Sequence, residues 1–441
     1  MFEHLDDPDD VTTGRRELAG ILSRAESIRI RRRWTLAVGS CCVLLAASIG
    51  FFLGRPSGQP ALSTTDYQFN LEKGPLPIGL PVPTTALIDV QFATPQNGYA
   101  LAVHDDDVLL ASSTDGGSTW QVRNNHPPAN SAPGDESLTQ MEFVGDTGYL
   151  WGATSRDGAP LWVTRDGGSS WALAPIGSDV VDVSAIDANV WAVSETSCAP
   201  TGASTSCPIA INQSLDGGST WTAVGQVPDG IQFPENPNQG APLAELARIT
   251  KARAYVLTYG PQAGAFGWRM EFTDDAGSSW VQRPVPCSGP DSLDAELAAS
   301  STTDLWLLCD GPFSAGAQQK VLYRSSDGGL SWQMTASTPG GSTGTVGSLP
   351  TEGYVEPPGH HNLAVASPTT AWLYVLRTGL FTTTDGGASW IPVASLESAG
   401  FPSGGYGNIT FLSATDAWIC SYGVGLWHTV DGSTWQPLGA K

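Results

Sequence analysis

Residues 113–120 read STDGGSTW. An aspartate beside two glycines, flanked by hydroxyl residues and closed by a tryptophan, is a candidate metal loop or catalytic turn. The phrase returns as TRDGGSSW from Thr164 and SLDGGSTW from Ser214. Seven copies exist, centred on Asp115, Asp166, Asp216, Asp275, Asp327, Asp385 and Asp431, with steps of 51, 50, 59, 52, 58 and 46 residues. Each closes on a tryptophan: Trp120, Trp171, Trp221, Trp280, Trp332, Trp390 and Trp435. The fourth copy has Ala276 for the first glycine, and the seventh is one residue short. Such periodicity is the signature of a repeat architecture.

A second phrase precedes each copy. It is a short β-rich run, a turn, and an apolar run led by Trp or Tyr, as in DVQFATPQNGYALAV (89–103) and NLAVASPTTAWLYV (362–375). Each repeat therefore holds four strand candidates, here A to D, with the Asp phrase as the C–D turn. Four antiparallel strands in about 50 residues describe a propeller blade. One blade cannot bury its own faces, so the copies are expected to form one ring. The expected fold is all-β, a seven-bladed β-propeller with four-stranded antiparallel blades, preceded by a single N-terminal transmembrane helix. Composition agrees: 51 Gly and 32 Pro with only 15% charged residues favour many tight turns over long exposed helices.

The phrase S/T-x-D-x-G-x-S/T-W resembles the Asp box, or BNR repeat. Propellers carrying it include bacterial sialidases, sortilin-type receptors and the photosystem II assembly factor family. The paired phrases are most similar to the last of these, over about 66–441. That resemblance implies an assembly or interaction role. A sialidase would need three converging arginines and an Arg-Ile-Pro motif, but LPVPTTALIDV (80–90) stands where the motif is expected. Arg248, Arg253 and Arg269 cluster in the fourth repeat and are the arginines left as a candidate site.

The aspartates themselves read as structural. Their carboxylates can accept backbone N–H bonds within the turn, and Gly116–Gly117 supply the positive φ that the turn needs. The tryptophans read as wedges between sheets, and Trp151, Trp191, Trp306, Trp372 and Trp418 in the B strands as core.

The first 33 residues carry equal positive and negative charge, and residues 34–54 carry none. At helical rise the uncharged run spans about 31 Å, the thickness of a bilayer's apolar core. Arg29, Arg31, Arg32 and Arg33 precede it, so the positive-inside rule places the N-terminus in the cytoplasm. The expected organisation is a cytoplasmic segment (1–33), a membrane span (34–54), a linker (55–65) and a propeller (66–441) outside the cytoplasm. Residues 55–441 hold the whole net charge of -22. Such a surface repels phosphate backbones, which argues against nucleic acid as a partner.

Strand alternation places A–B and C–D turns at one end of the ring and B–C and D–A connections at the other. Insertions fall only at the second end: B–C at 194–210, 259–268 and 309–319; D–A at 123–138, 226–244, 284–294, 335–360 and 394–406. Variable loops on a rigid scaffold carry binding. The working face is thus expected opposite the Asp boxes, with Tyr259, Phe266, Trp268, Phe313, Tyr354, Phe401 and Tyr406 as a candidate aromatic patch. Outside the cytoplasm cysteines can pair. Cys198–Cys207 and Cys287–Cys309 are the expected disulfides, leaving Cys420 free.

Other chemistry is sparse. Asp105–Asp107 suits a Ca²⁺ loop but reads as a solvated turn, and His360 and His361 point to opposite faces if extended. Glu142 and Glu296 lie on innermost strands and form a candidate acid–base pair. The reading is a membrane-anchored binding scaffold for a protein or cell-surface glycan, with no catalytic residues, metal or cofactor. The alternative is a glycoside hydrolase or lyase using channel carboxylates.

Overall fold

The alternation of apolar and polar residues in the first phrase of each repeat produces the innermost strand of a sheet. In Thr139–Val144 buried and half-buried residues alternate strictly. The strand that follows is apolar throughout because neighbouring sheets cover both of its faces, and Ala371–Val375 is buried at every position. The computed structural model describes residues 77–439, apart from 105–106, 125–138, 153–159, 177–178, 196–198, 201–203, 235–243, 263–264, 288–293, 315, 339–346, 356–361 and 402–406. They belong to a compact unit that runs Thr64–Lys441.

Seven sheets follow one another along the chain, each made from one repeat with strands A to D antiparallel in order, and blades 3 and 5 add a two-residue strand each, Ala199–Pro200 and the parallel Gly347–Ser348. The A strands are Leu87–Phe92, Thr139–Val144, Asp179–Ile186, Ala244–Arg248, Asp294–Ala299, Leu363–Val365 and Gly407–Phe411. They surround a central cavity of about 410 Å³. This is an all-β seven-bladed propeller. Among the described residues no helix is long and apolar enough to cross a membrane. The expected span 34–54 lies outside the described residues.

Register reveals which aromatic residue wedges the blades apart. Tyr99, Tyr149, Trp191, Tyr255, Trp306, Trp372 and Trp418 occupy one position in strand B, opposite Gln91, Glu142, Ser184, Ala247, Ala298, Ala364 and Thr410. All seven are buried. Trp151 lies two residues beyond this position, opposite Gln140. The tryptophans that close the Asp boxes are less uniform: Trp120, Trp390 and Trp435 are buried, but Trp171, Trp221, Trp280 and Trp332 are half-buried.

The six full-length Asp boxes share one hydrogen-bond pattern. In the first, the Ser113 hydroxyl donates to Asp115 Oδ1 (2.8 Å) and accepts from the Gly117 amide (2.9 Å). The Thr119 amide donates to Asp115 Oδ1 (2.9 Å), and its hydroxyl to Oδ2 (2.6 Å). The same bonds recur around Asp166, Asp216, Asp275, Asp327 and Asp385. The shortened copy keeps Thr429 Oγ1 on Asp431 at 3.1 Å and the Thr434 amide at 2.6 Å. Both oxygens of each carboxylate in the six full copies serve the turn.

The paired glycines do two jobs. Gly116 and Gly117 have φ of 73° and 90°, a region costly for other residues. They also admit the wedge of the preceding blade. A Cβ on Gly387 would sit 3.0 Å from the Trp306 ring, and one on Gly167 2.8 Å from the Tyr99 hydroxyl. Tyr255 and Trp418 donate to the carbonyls of Gly328 and Gly116 at 3.1 Å each. The turn and the wedge are thus two halves of one inter-blade joint. Ala276 holds the left-handed conformation (φ 59°) without being glycine. Ala276→Gly is therefore expected to raise the free energy of unfolding by up to about 1 kcal/mol, read from denaturant midpoints at unchanged m-value.

Blade 7 meets blade 1 without exchanging a strand. Phe92 stacks on Trp418 with ring centroids 3.8 Å apart. The chain entering blade 1 covers its outer edge: Gly79 and Val82 amides donate to Val122 and Trp120 carbonyls at 2.8 Å each. Thr84 Oγ1 then reaches the Leu438 carbonyl (3.3 Å), and the Gly423 amide donates to Thr85 (2.8 Å). The two ends of the ring are fastened to each other by this strap.

Candidate functional site

The end of the ring opposite the Asp boxes is elaborated, but by strands more than by loops. In blade 3, Ser204–Ser214 and Thr222–Pro234 pair along most of their length, up to Ser204 opposite Pro234. The expected B–C loop 194–210 and the first part of the D–A loop 226–244 are therefore largely ribbon. The expected loop 259–268 continues the hairpin of blade 4, with Tyr259 opposite Trp268 and Pro261 opposite Phe266. The expected loop 309–319 does the same in blade 5, where Phe313 lies opposite Gln318. Antiparallel neighbours joined by a short turn gain backbone bonds by continuing to pair, and the ladders carry on past irregularities at Cys207/Ile209 and Ile211/Asn212 in blade 3 and at Asp310/Phe313 in blade 5.

The four described members of the candidate aromatic patch do not come together. Trp268 is 1% exposed, inside the core shared by blades 3 to 5, and Tyr259 packs edge-on against it (centroids 5.7 Å). Phe401 is 5% exposed, between Tyr374 and Trp427 in the core of blades 6 and 7. Tyr354 is half-buried under the Arg377 guanidinium. Tyr259 and Trp268 belong to one core and Tyr354 and Phe401 to another, so these four do not present one surface. Tyr406 and the side chains of Phe266 and Phe313 lie outside the described residues, as do Asp105, Asp106, His360 and His361.

Cys287 and Cys309 are joined by a disulfide, which clips the segment leaving blade 4 to strand B of blade 5. Cys207 is disulfide-bonded, and its expected partner Cys198 lies outside the described residues. Cys420 is a buried free thiol.

The arginines of blade 4 are used locally. Arg248 donates to the carbonyls of Ser184 (2.8 Å) and Asn189 (3.0 Å) and lies over the Trp191 ring. Arg253 reaches the Thr302 carbonyl (3.2 Å), and Arg269 is buried. Arg248 and Arg253 thus tie blade 4 to blades 3 and 5, and of the three arginines only Arg248 lines the cavity.

The cavity holds the densest ionisable chemistry of the described chain. The residue just before the first buried apolar residue of each A phrase is polar: Asp89, Gln140, Asp182, Glu245, Glu296, Asn362 and Asn408. All seven line the cavity. Most act as staples to the next blade. Asp182 accepts from the Leu246 amide at 2.6 Å, and Glu245 from the Leu297 amide at 3.1 Å. Glu296 accepts from Leu363 (3.0 Å) and Asn362 (3.2 Å). Asn408 donates to Asp89 across the closing seam. A second tier lies one turn of the pleat away, where Gln91 accepts from Phe143 (2.9 Å) and Glu142 from Ala185 through both oxygens (3.0 Å each).

Glu142 and Glu296, the candidate acid–base pair, are therefore both engaged with backbone, on blades 2 and 5. Burial pushes each up to about 8, against the opposing pull of those amides. Burial also raises Asp89 and Asp182 to about 7 and carries Glu245 well above its ordinary range, with the charges of Glu296 and Asp182 adding to the rise. Sequence reading found two of these acids but not the belt. The signal was present: all seven A phrases place an acid or amide directly before Val, Met, Leu or Ile. Among the described residues no group of His, Cys, Asp and Glu is arranged to hold a metal ion.

A ring of seven sheets, each closed by an Asp box, defines an Asp-box repeat propeller. Residues 76–257 match the family model described as photosynthesis system II assembly factor YCF48. No curated protein sequence matches the chain. Solved structures with a similar path include YCF48 bound to a D1 peptide (18% identity, 82% of this chain and 98% of that one, TM-score 0.49). YCF48 from Cyanidioschyzon merolae is similar over 80% and 98% of the two chains (15% identity, TM-score 0.49). A polysaccharide lyase, a PL25 ulvan lyase, matches over 81% and 94% (10% identity, TM-score 0.47). These are likenesses of fold alone.

Proposed function

We propose that the chain is a non-catalytic binding scaffold for a protein, held outside the cytoplasm by an N-terminal membrane anchor at residues 34–54. One observation carries the reading: the cavity acids that would serve an enzyme already bridge blades through backbone amides. A general acid or base must reach the proton it moves, and Glu142 and Glu296 are held by structural partners instead. The family model matched by residues 76–257 is named for an assembly factor, which supports an interaction role. The partner would dock at the end opposite the Asp boxes, where the blade 3 ribbon, the blade 4 and 5 hairpins and the disulfide lie. The strongly acidic propeller favours a partner with a basic surface.

Crosslinking of the tagged full-length chain on intact cells, followed by mass spectrometry, tests the proposal. Crosslinks from the 199–234 ribbon and the 259–268 hairpin to one protein are expected. Crosslinks confined to Asp-box residues would overturn the face assignment. Turnover of a glycoside or polyuronate panel, abolished by Glu142→Gln or Glu296→Gln, would overturn the non-catalytic reading. Protease accessibility of the propeller in sealed spheroplasts tests the anchor's orientation.

A further inference from the structure

The inner belt joins blades with groups that exist in two charge states. Asp182, Glu245 and Glu296 hold three successive seams, between blades 3 and 4, 4 and 5, and 5 and 6. Glu142 holds the seam between blades 2 and 3. All line one cavity of about 410 Å³, so each faces the others across a short span. Blade 1 adds Asp89, and blade 5 adds Asp294, which is 8% exposed and paired in register with Asp310. Blades 6 and 7 contribute only amides at the belt position, Asn362 and Asn408. Among the described residues that line the cavity, Arg248 alone is basic, and it is engaged with Ser184 and Asn189. Lys320 and Arg269 are buried cations two strands out from the belt, paired in register with Asp310 and Thr258.

A protonated carboxyl still accepts an amide hydrogen bond through its carbonyl oxygen. The staples therefore survive protonation, whereas ionising several of them together places like charges around a confined space. The outer joint behaves oppositely. The Asp-box carboxylates are exposed and receive hydroxyl and amide donors, and Asp166 and Asp327 are held at about 2 chiefly by the serine hydroxyls of Ser170 and Ser331.

We propose that the belt is a proton-operated seam: protonated, it holds the inner strands of blades 3 to 6 together, and ionised, it loosens them while the Asp-box rim stays closed. The direction follows from linkage. The belt acids titrate higher in the folded ring than in the unfolded chain, so the folded state binds more protons between about pH 4 and pH 8. Their contribution is present at the acidic end of that window and is lost as pH rises through about 7 to 8. The bore of the ring thus responds to pH at the seams that carry acids, and not at the rim.

Amide hydrogen exchange of the full-length chain in detergent, at about pH 6 and pH 9 and corrected for intrinsic exchange, reads this directly. Protection in peptides covering 182–186, 244–248, 294–299 and 363–365 is expected to fall about tenfold or more at the higher pH, one pKa unit in a single group being worth a factor of ten. Peptides covering the Asp boxes are expected to hold. The Glu245→Gln/Glu296→Gln chain keeps an acceptor at each staple and is expected to show a diminished pH response at 294–299 and 363–365, the segments those two staples hold. Equal protection at both pH values in the unmodified chain would overturn the proposal. So would a parallel loss at the Asp boxes, or an undiminished pH response in the glutamine variant.

Discussion

Trp191→Ala is expected to lower the free energy of unfolding by about 3–5 kcal/mol, the range for removing a fully buried tryptophan from a packed core. Trp191 is 0% exposed, with the Arg248 guanidinium over one face and Trp280 edge-on at 6.5 Å. It also lies 3.6 Å from where a Cβ on Gly277, in the next Asp box, would stand. Truncation removes the wedge of the joint between blades 3 and 4 and leaves Arg248 without the ring it covers. Trp171→Ala, which removes a half-buried Asp-box tryptophan, is expected to cost less than half as much. Urea titration followed by far-UV circular dichroism checks both. Equal losses would mean that the Asp-box tryptophan, and not the strand B aromatic, carries the joint.

This contrast marks where sequence reading succeeds and where it stops. The blade count is legible because one turn needs one set of residues: a carboxylate to collect amide and hydroxyl donors, two positions of positive φ, and a hydroxyl on each side. The same turn is built each time from these residues, so Asp115 and its six counterparts repeat almost unchanged. The wedge is less legible because its chemistry is permissive. Tyr99, Tyr149 and Tyr255 fill in three blades the place that tryptophan fills in four, and Trp151 draws attention to a neighbouring position. Only the pairing register separates them.

The face opposite the Asp boxes was readable as the place of insertion, because insertion length is a property of sequence. The form of the insertions was not. Whether Tyr259 and Trp268 end a strand or begin a loop depends on the cross-strand partners they find, and these lie on the other arm of the hairpin. Burial of Trp268 and Phe401 likewise follows from packing between blades, which no single repeat encodes. The belt is an intermediate case. Its polar residue is present in every A phrase, but a lone acid or amide in a strand gives no sign of a belt until seven such residues are placed around one cavity.

Lys320→Met is expected to cost about 2–4 kcal/mol, as the removal of a buried charge bonded to two carbonyls. Lys320 is 0% exposed; its Nζ donates to the carbonyls of Gln318 (2.8 Å) and Gly353 (3.0 Å). Beside it Gln318 donates to Asp310 and accepts from the Val355 amide (2.9 Å). Gly353 has φ 77°, and a Cβ there would stand 2.2 Å from the Leu376 carbonyl, so only glycine fits at this crossing. The group holds the crossing segment near 353–355 against the hairpin tips of blades 5 and 6. Burial lowers Lys320 to about 8 against the attraction of Asp310, while burial raises Asp310 to about 7 against the hydrogen bond from Gln318 and the Lys320 charge. Each ion thus offsets part of the other's desolvation. Asp310→Asn keeps the acceptor for Gln318 and removes the charge, so the double variant is expected to be less destabilised than the sum of the singles, by about 1 kcal/mol or more. Additive losses in the cycle would show that Lys320 acts through its two carbonyl bonds alone.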